Sequence, residues 1–108
     1  MAKKVLKKSS KKVTGPRYVI VRTQSAGVFF GELASKVASQ VTLKNARRLW
    51  YWSGAASLSQ LAMEGTKNPS NCKFPVAVEK QEILGVIEVL DTTVAAQESI
   101  KAVPVWSA

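Results

Sequence analysis

The sequence contains no histidine and a single cysteine, Cys72. Without histidine the chain lacks the commonest general base, the commonest zinc ligand and every histidine-based catalytic triad. One cysteine cannot form an intrachain disulfide, which fits a reducing compartment. The sequence therefore predicts a protein that is not an enzyme and that uses no cofactor and no metal.

Long apolar runs are also missing. The apolar stretch at 18–21 is far too short to span a bilayer. The lysine-rich N-terminus is not followed by the apolar region that a signal peptide requires. These absences predict a soluble protein, cytoplasmic or bound to a particle, with no membrane partner.

Acidic residues are scarce, and none precedes Glu32. The net charge is +9, from 16 basic and 7 acidic residues, and residues 1–17 contribute +7 of it. The remaining 9 basic and 7 acidic residues give only +2. We therefore predict a basic arm over residues 1–16, which ends at Gly15-Pro16, and a compact domain over residues 17–108. The cations concerned are Lys3, Lys4, Lys7, Lys8, Lys11, Lys12 and Arg17.

Such an arm attracts polyanions through its long-range field and through counterion release. The predicted partner is therefore DNA or RNA, or alternatively an acidic protein surface. An arm that only solubilises the protein is the simplest competing interpretation.

The pattern of residues 17–108 indicates a β-rich α+β domain. Short β-type runs lie at 17–23, 28–33, 41–43, 49–52, 74–78 and 82–90. Ser57 and Gln60 have capping-box spacing ahead of a helix that Gly65 can end, and residues 91–93 can cap a second helix that ends near Ala102. We predict five or six strands in a compact sheet or partly open barrel, with two short helices. Because both faces of 82–90 are apolar, this run predicts a central strand covered on both sides.

The segment at 44–52 combines basic and aromatic residues. In a strand, Arg48, Trp50 and Trp52 share one face, and Arg47 lies on the other. Two indole rings beside a guanidinium can stack on single-stranded bases. The alternative is that the rings belong to the core or to a subunit interface. The candidate nucleic-acid-binding residues are thus Arg47, Arg48, Trp50 and Trp52, together with Arg17 and the six lysines of the arm.

Four stretches carry a family resemblance: "YVIVRTQSAGVFFGEL", "VTLKNARRLWYWSGAASLSQLAMEG", "NPSNCKF" and "VPVW". They resemble a family of small uncharacterised proteins encoded by tailed phages and prophages, over about residues 17–106. The arm lies outside the resemblance. The resemblance implies a phage origin, a compact fold and an accessory role, and it carries over no activity and no site residue.

Three functions are consistent with these observations. The first is a non-enzymatic phage accessory protein that engages nucleic acid through its arm. The second is a structural or assembly protein, oligomeric or associated with the virion, whose arm anchors it to an acidic partner. The third is a protein that sequesters a small ligand of the host defence. The expected location is the cytoplasm of the bacterial host or the virion.

Overall fold

The computed structural model describes residues 16–107, and the six lysines of the arm lie outside these residues. Five antiparallel strands and two α-helices make up the described chain, which confirms a β-rich α+β fold. In chain order they are β1 (Tyr18–Thr23), β2 (Val28–Val37), β3 (Gln40–Arg48), α1 (Leu58–Glu64), a 3-10 helix (Pro69–Asn71), β4 (Val78–Ile83), β5 (Val86–Asp91) and α2 (Val94–Ala102).

The five strands form one curled sheet in the order β4-β3-β2-β1-β5. The two edge strands, β4 and β5, are consecutive in the chain and are joined only by Leu84 and Gly85. In a flat sheet these edges would lie roughly 19 Å apart, whereas the three peptide links from Ile83 to Val86 reach at most about 11 Å. The sheet must therefore curl until its edges approach at this end, although it does not close into a barrel.

Irregular pairing allows this curvature. The β2–β3 register shifts twice, between Phe30 and Glu32 and between Leu33 and Ser35. Gly31 sits at the first shift, where an added Cβ would lie 3.0 Å from the Lys44 carbonyl oxygen. Such bulges bend a strand and increase its local twist. Gly31 therefore lies at a bulge where the backbone of β3 approaches closely.

A strand-only cluster, which we call the inner cluster, fills the concave face of the curl. Side chains from the two edges of a sheet can meet only on its concave side. This cluster combines side chains of β3 and β4 with side chains of β1 and β5, so it lies on the concave side. Its buried members are Val19, Val21, Phe29, Val41, Leu43, Ala46 and Ile83, with Val86 and Val89 packed against them.

The outer cluster lies on the opposite face, where the helices pack. Its buried members are Ile20, Phe30, Leu49, Leu61, Ala62, Cys72, Phe74, Ile100 and Val103. Both helices begin as the sequence predicts: the Ser57 hydroxyl accepts from the Gln60 amide, and the Thr93 hydroxyl accepts from the Ala96 amide. Each hydroxyl satisfies a backbone N–H that lacks a partner inside its helix.

The predicted central strand at 82–90 is wrong. Gly85 has a φ of 71° and divides this run into two strands that lie at opposite edges of the sheet. The strand buried on both faces is β1, in which Val19, Ile20 and Val21 are fully buried. The run 82–90 is apolar on both faces because the end of β4 faces the inner cluster and Leu90 packs against the outer one.

Candidate nucleic-acid interface

Three segments that are distant in sequence lie side by side beyond the end of β3. Tyr51 and Lys73 exchange backbone hydrogen bonds, with N···O distances of 3.3 and 2.7 Å. The Trp106 amide donates to the Phe74 carbonyl at 3.0 Å. The expected strand at 49–52 is thus a single bridge rather than a strand, because β3 ends at Arg48. These bonds place Trp50, Tyr51, Lys73 and Trp106 around one surface.

Three aromatic rings around these segments reach solvent. Leu49 and Phe74 are buried in the outer cluster. Trp50 follows Leu49 and is 63% exposed, Tyr51 is 51% exposed although strict alternation would place it on the side of Leu49, and Trp106 is 44% exposed. Rings this large are usually at least half-buried, so three exposed ones in a small domain form an unusual apolar patch on its surface.

The exposed rings are held by contacts with one another and with a lysine. The Trp50 and Trp106 rings are nearly parallel, with an interplanar angle of 5° and centroids 6.5 Å apart. The Lys73 Nζ lies 5.6 Å from the Trp106 ring centroid and 6.0 Å from that of Tyr51. We call Trp50, Tyr51, Lys73 and Trp106 the aromatic patch.

Arg48 borders this patch. Its guanidinium lies 4.5 Å from the centroid of the Phe29 ring, and its Nη1 donates to the Ala26 carbonyl at 2.6 Å. A groove of about 300 Å³ runs between Arg48, Trp50, Trp52 and the loop at 25–28. The three residues expected on one strand face therefore line one groove. Trp52 is half-buried and packs against the outer cluster.

Among the residues that the structure describes, the cations of this surface have no acidic partner. Within residues 16–107, no carboxylate lies within 4.0 Å of the Arg48 guanidinium or the Lys73 ammonium. Arg17, by contrast, forms an exposed ion pair with Asp91 at 2.8 Å on the β1–β5 side of the sheet. Arg17 is therefore separate from the aromatic patch and is already paired.

Arg47 has a different environment, since only 7% of it is exposed. Its guanidinium donates four hydrogen bonds to backbone carbonyls, two of them at the end of α2. The acceptors are the carbonyl oxygens of Phe74, Pro75, Ile100 and Val103, at 2.6 to 3.1 Å. Burial lowers the pKa of the Arg47 guanidinium from its ordinary value, yet arginine stays protonated in proteins. Arg47 thus holds α2 and the 74–75 segment against β3 and is not part of the exposed surface.

Sequence reasoning did not identify Tyr51, Lys73 and Trp106 as one group. None of the three is among the candidate residues that the sequence indicates. No local pattern connects positions 51, 73 and 106, because backbone bridges between separate segments bring them together.

In the part of the chain that the structure describes, no helix has the length and apolar composition needed to cross a membrane. Among these same residues, no three histidine, cysteine, aspartate or glutamate side chains are grouped so that they could hold a metal ion.

Comparison with known proteins gives one match. The family described as "Domain of unknown function (DUF6948)" matches residues 16–100, which is most of the chain and excludes the basic arm. No curated protein and no solved structure matches the chain.

Proposed function

The chain belongs to the DUF6948 family, and we propose that it is a non-enzymatic protein that binds single-stranded DNA or RNA. In this proposal the lysines of residues 1–16 bind phosphates, and the aromatic patch with Arg48 stacks on exposed bases. The arm gives long-range attraction and most of the electrostatic affinity. The patch gives contacts that need unpaired bases, since rings cannot stack on bases inside a duplex.

The aromatic patch is the observation that carries the proposal. Exposed Trp50, Tyr51 and Trp106 surround Lys73, and Arg48 lies beside them without a carboxylate within 4.0 Å in residues 16–107. Single-strand-binding surfaces combine such rings with cations that follow the backbone. Each stacked base contributes about 1–3 kcal/mol to the free energy of binding. Stacking would therefore add substantially to the affinity that the lysines provide.

Binding of this kind tolerates changes of sequence, because each base has a face on which a ring can stack. It suits an accessory protein that coats or retains nucleic acid during a phage cycle. The proposed setting is therefore the cytoplasm of a phage-infected bacterium or the virion itself.

The arm is tested by replacing Lys3, Lys4, Lys7, Lys8, Lys11 and Lys12 with Gln. Six neutralised phosphates give a slope of about −4 for log K against log salt on a single strand. Fluorescence anisotropy with a labelled oligonucleotide at several salt concentrations measures this slope. We expect the sixfold variant to lose most of it. Wild-type protein that fails to bind oligonucleotide at low salt would refute the proposed function.

The patch is tested by a Trp50→Ala/Trp106→Ala double variant in the same assay. Loss of one or two stacking contacts should weaken binding roughly tenfold or more at every salt concentration. The slope against salt should stay unchanged, because no cation is removed. Leu84→Ala, at a residue that is 67% exposed and outside the patch, is the control and should bind as wild type.

An assembly role is the second candidate, and the outer edge of β5 supports it. The acidic side chains of this strand are paired with arginines: Glu88 with Arg22 of β1, and Asp91 with Arg17, which directly precedes β1. Because these charges are neutralised and Ile87 is exposed, the edge formed by β5 has few features that prevent it from pairing with a strand of another copy. Sedimentation equilibrium distinguishes the two candidates. A mass that rises with concentration, together with absence of oligonucleotide binding, would favour assembly.

A further inference from the structure

A second groove, of about 470 Å³, lies at the start of β1 and is separate from the aromatic patch. Its walls include both aromatic and cationic side chains, which come from β1, β2, β3 and the end of α2. The lining residues that matter here are Tyr18, Phe30, Asn45, Arg47, Lys101 and Val103.

Aromatic rings form one side of this groove. The Tyr18 and Phe30 rings are stacked, with centroids 5.5 Å apart and an interplanar angle of 19°. The Lys101 Nζ lies 3.8 Å from the centroid of the Tyr18 ring. Because Phe30 is only 2% exposed, the accessible ring on this side is that of Tyr18, and it lies directly beside the exposed Lys101 ammonium.

Arg47 also lines the groove, although only 7% of it is exposed. Four of its five N–H groups donate to backbone carbonyls, so one Nη1 hydrogen has no acceptor in the described chain. Within residues 16–107 no carboxylate lies within 4.0 Å of its guanidinium. A buried cation without an anionic partner is costly, and an anion in the groove would offset that cost.

We propose that this groove binds a small organic anion, a flat apolar molecule that carries one carboxylate or similar group. Its ring would lie against Tyr18, and its anionic group would reach the cations of Arg47 and Lys101. Ligand sites commonly have this composition, an apolar lining with a few convergent polar groups that fix orientation. The two positive groups select an anion over a neutral molecule of the same shape.

Charge argues against the basic arm as the occupant. Six lysines precede Tyr18 in the sequence, and a groove that contains Arg47 and Lys101 repels them. Glu32 lies opposite Tyr18 in the β1–β2 register but does not line the groove. Its negative carboxylate repels an anion in the groove, so Glu32→Gln should modestly strengthen binding of the anion.

The test is a titration of the full chain, labelled with ¹⁵N, with 2-naphthoate and with its neutral counterpart 2-naphthalenemethanol. We expect naphthoate to shift the amide signals of Tyr18, Asn45 and Lys101, and the neutral molecule to bind at least about fivefold more weakly. Lys101→Gln should weaken naphthoate binding by a similar factor, whereas Lys101→Arg should retain it. Lys80→Gln removes the same charge from the β4 edge and is the matched control.

Four results would overturn the proposal. They are equal affinity for the charged and neutral molecules, unchanged affinity in Lys101→Gln, shifts confined to the aromatic patch, and absence of any shift at millimolar naphthoate. None of these results depends on oligonucleotide binding, so the groove and the proposed function can fail separately.

Discussion

Arg47 and Arg48 are adjacent and chemically identical, yet their surroundings give them different tasks. Arg48 is exposed and makes one backbone hydrogen bond, whereas Arg47 is buried and makes four. The sequence predicts that they face opposite sides of a strand. It cannot predict which side is buried, because the acceptors for Arg47 come from segments at 74–75 and 100–103.

Removal of Arg47 should destabilise the fold strongly. Arg47→Met leaves four backbone carbonyls without their donors, and buried unsatisfied groups cost about 1–3 kcal/mol each before water reaches them. We expect the free energy of unfolding to fall by roughly 3 kcal/mol or more. Arg47→Lys should recover little of this loss, because one ammonium cannot reproduce the planar set of donors. Urea denaturation followed by circular dichroism measures the change.

Arg48→Met is the matched control for that measurement. It removes one partly exposed hydrogen bond and one cation–π contact, which together contribute about 1–2 kcal/mol. Similar destabilisation by both variants would contradict the structural role assigned to Arg47.

The elements that the sequence predicts well are those whose ends are encoded locally. The α1 helix begins after Ser57 and ends at Gly65, which has a φ of 77°, and α2 begins after Thr93, as their capping residues indicate. Strand boundaries are less well predicted. The short run expected at 41–43 extends to Gln40–Arg48 in β3, and its pairing with β2 and β4 resumes after Asn45, which has a φ of 52° and no partner in either register.

Gly85 is the local signal that the apolar run at 82–90 conceals. Its φ of 71° turns the chain between two edge strands, and its backbone is anchored because the Gln24 amide donates to the Gly85 carbonyl. No atom lies within 4 Å of a Cβ added at Gly85. The cost of a side chain there is thus backbone strain alone.

Gly85→Ala should therefore lower the free energy of unfolding by about 1–2 kcal/mol. Gly85→Asn should cost less, since asparagine tolerates the left-handed region better than alanine. Thermal or urea denaturation of both variants measures the difference. Equal loss in both, or none in either, would show that the turn is not held at a positive φ.

At the scale of the whole molecule, the curl of the sheet is what the sequence could not predict. Alternation predicts which residues are apolar, but not that β4 and β5 lie at opposite edges and approach at one end. That arrangement depends on pairing between residues far apart in the chain, such as Thr23 with Val86 and Val41 with Ile83. The aromatic patch depends on such pairing too, so only its Trp50 member was identified beforehand.

Both apolar clusters lie within the described residues, whereas most of the excess positive charge lies in the arm. We therefore expect removal of the arm to change the charge of the protein and to leave its free energy of unfolding nearly unchanged. Among residues 16–107, the members of the inner and outer clusters lie between Tyr18 and Val103. A chain that begins at Pro16 should therefore unfold cooperatively, with a urea midpoint close to that of the full chain.

Because residues 1–15 contain six of the 16 cations, the shortened chain should also lose most of the salt dependence of oligonucleotide binding. Contacts of Trp50 and Trp106 with bases would leave a weaker affinity that varies little with salt. A shortened chain without a cooperative transition would show that residues 1–15 belong to the core. One that keeps the full slope against salt would show that the cations of the folded domain, and not those of the arm, bind the phosphates.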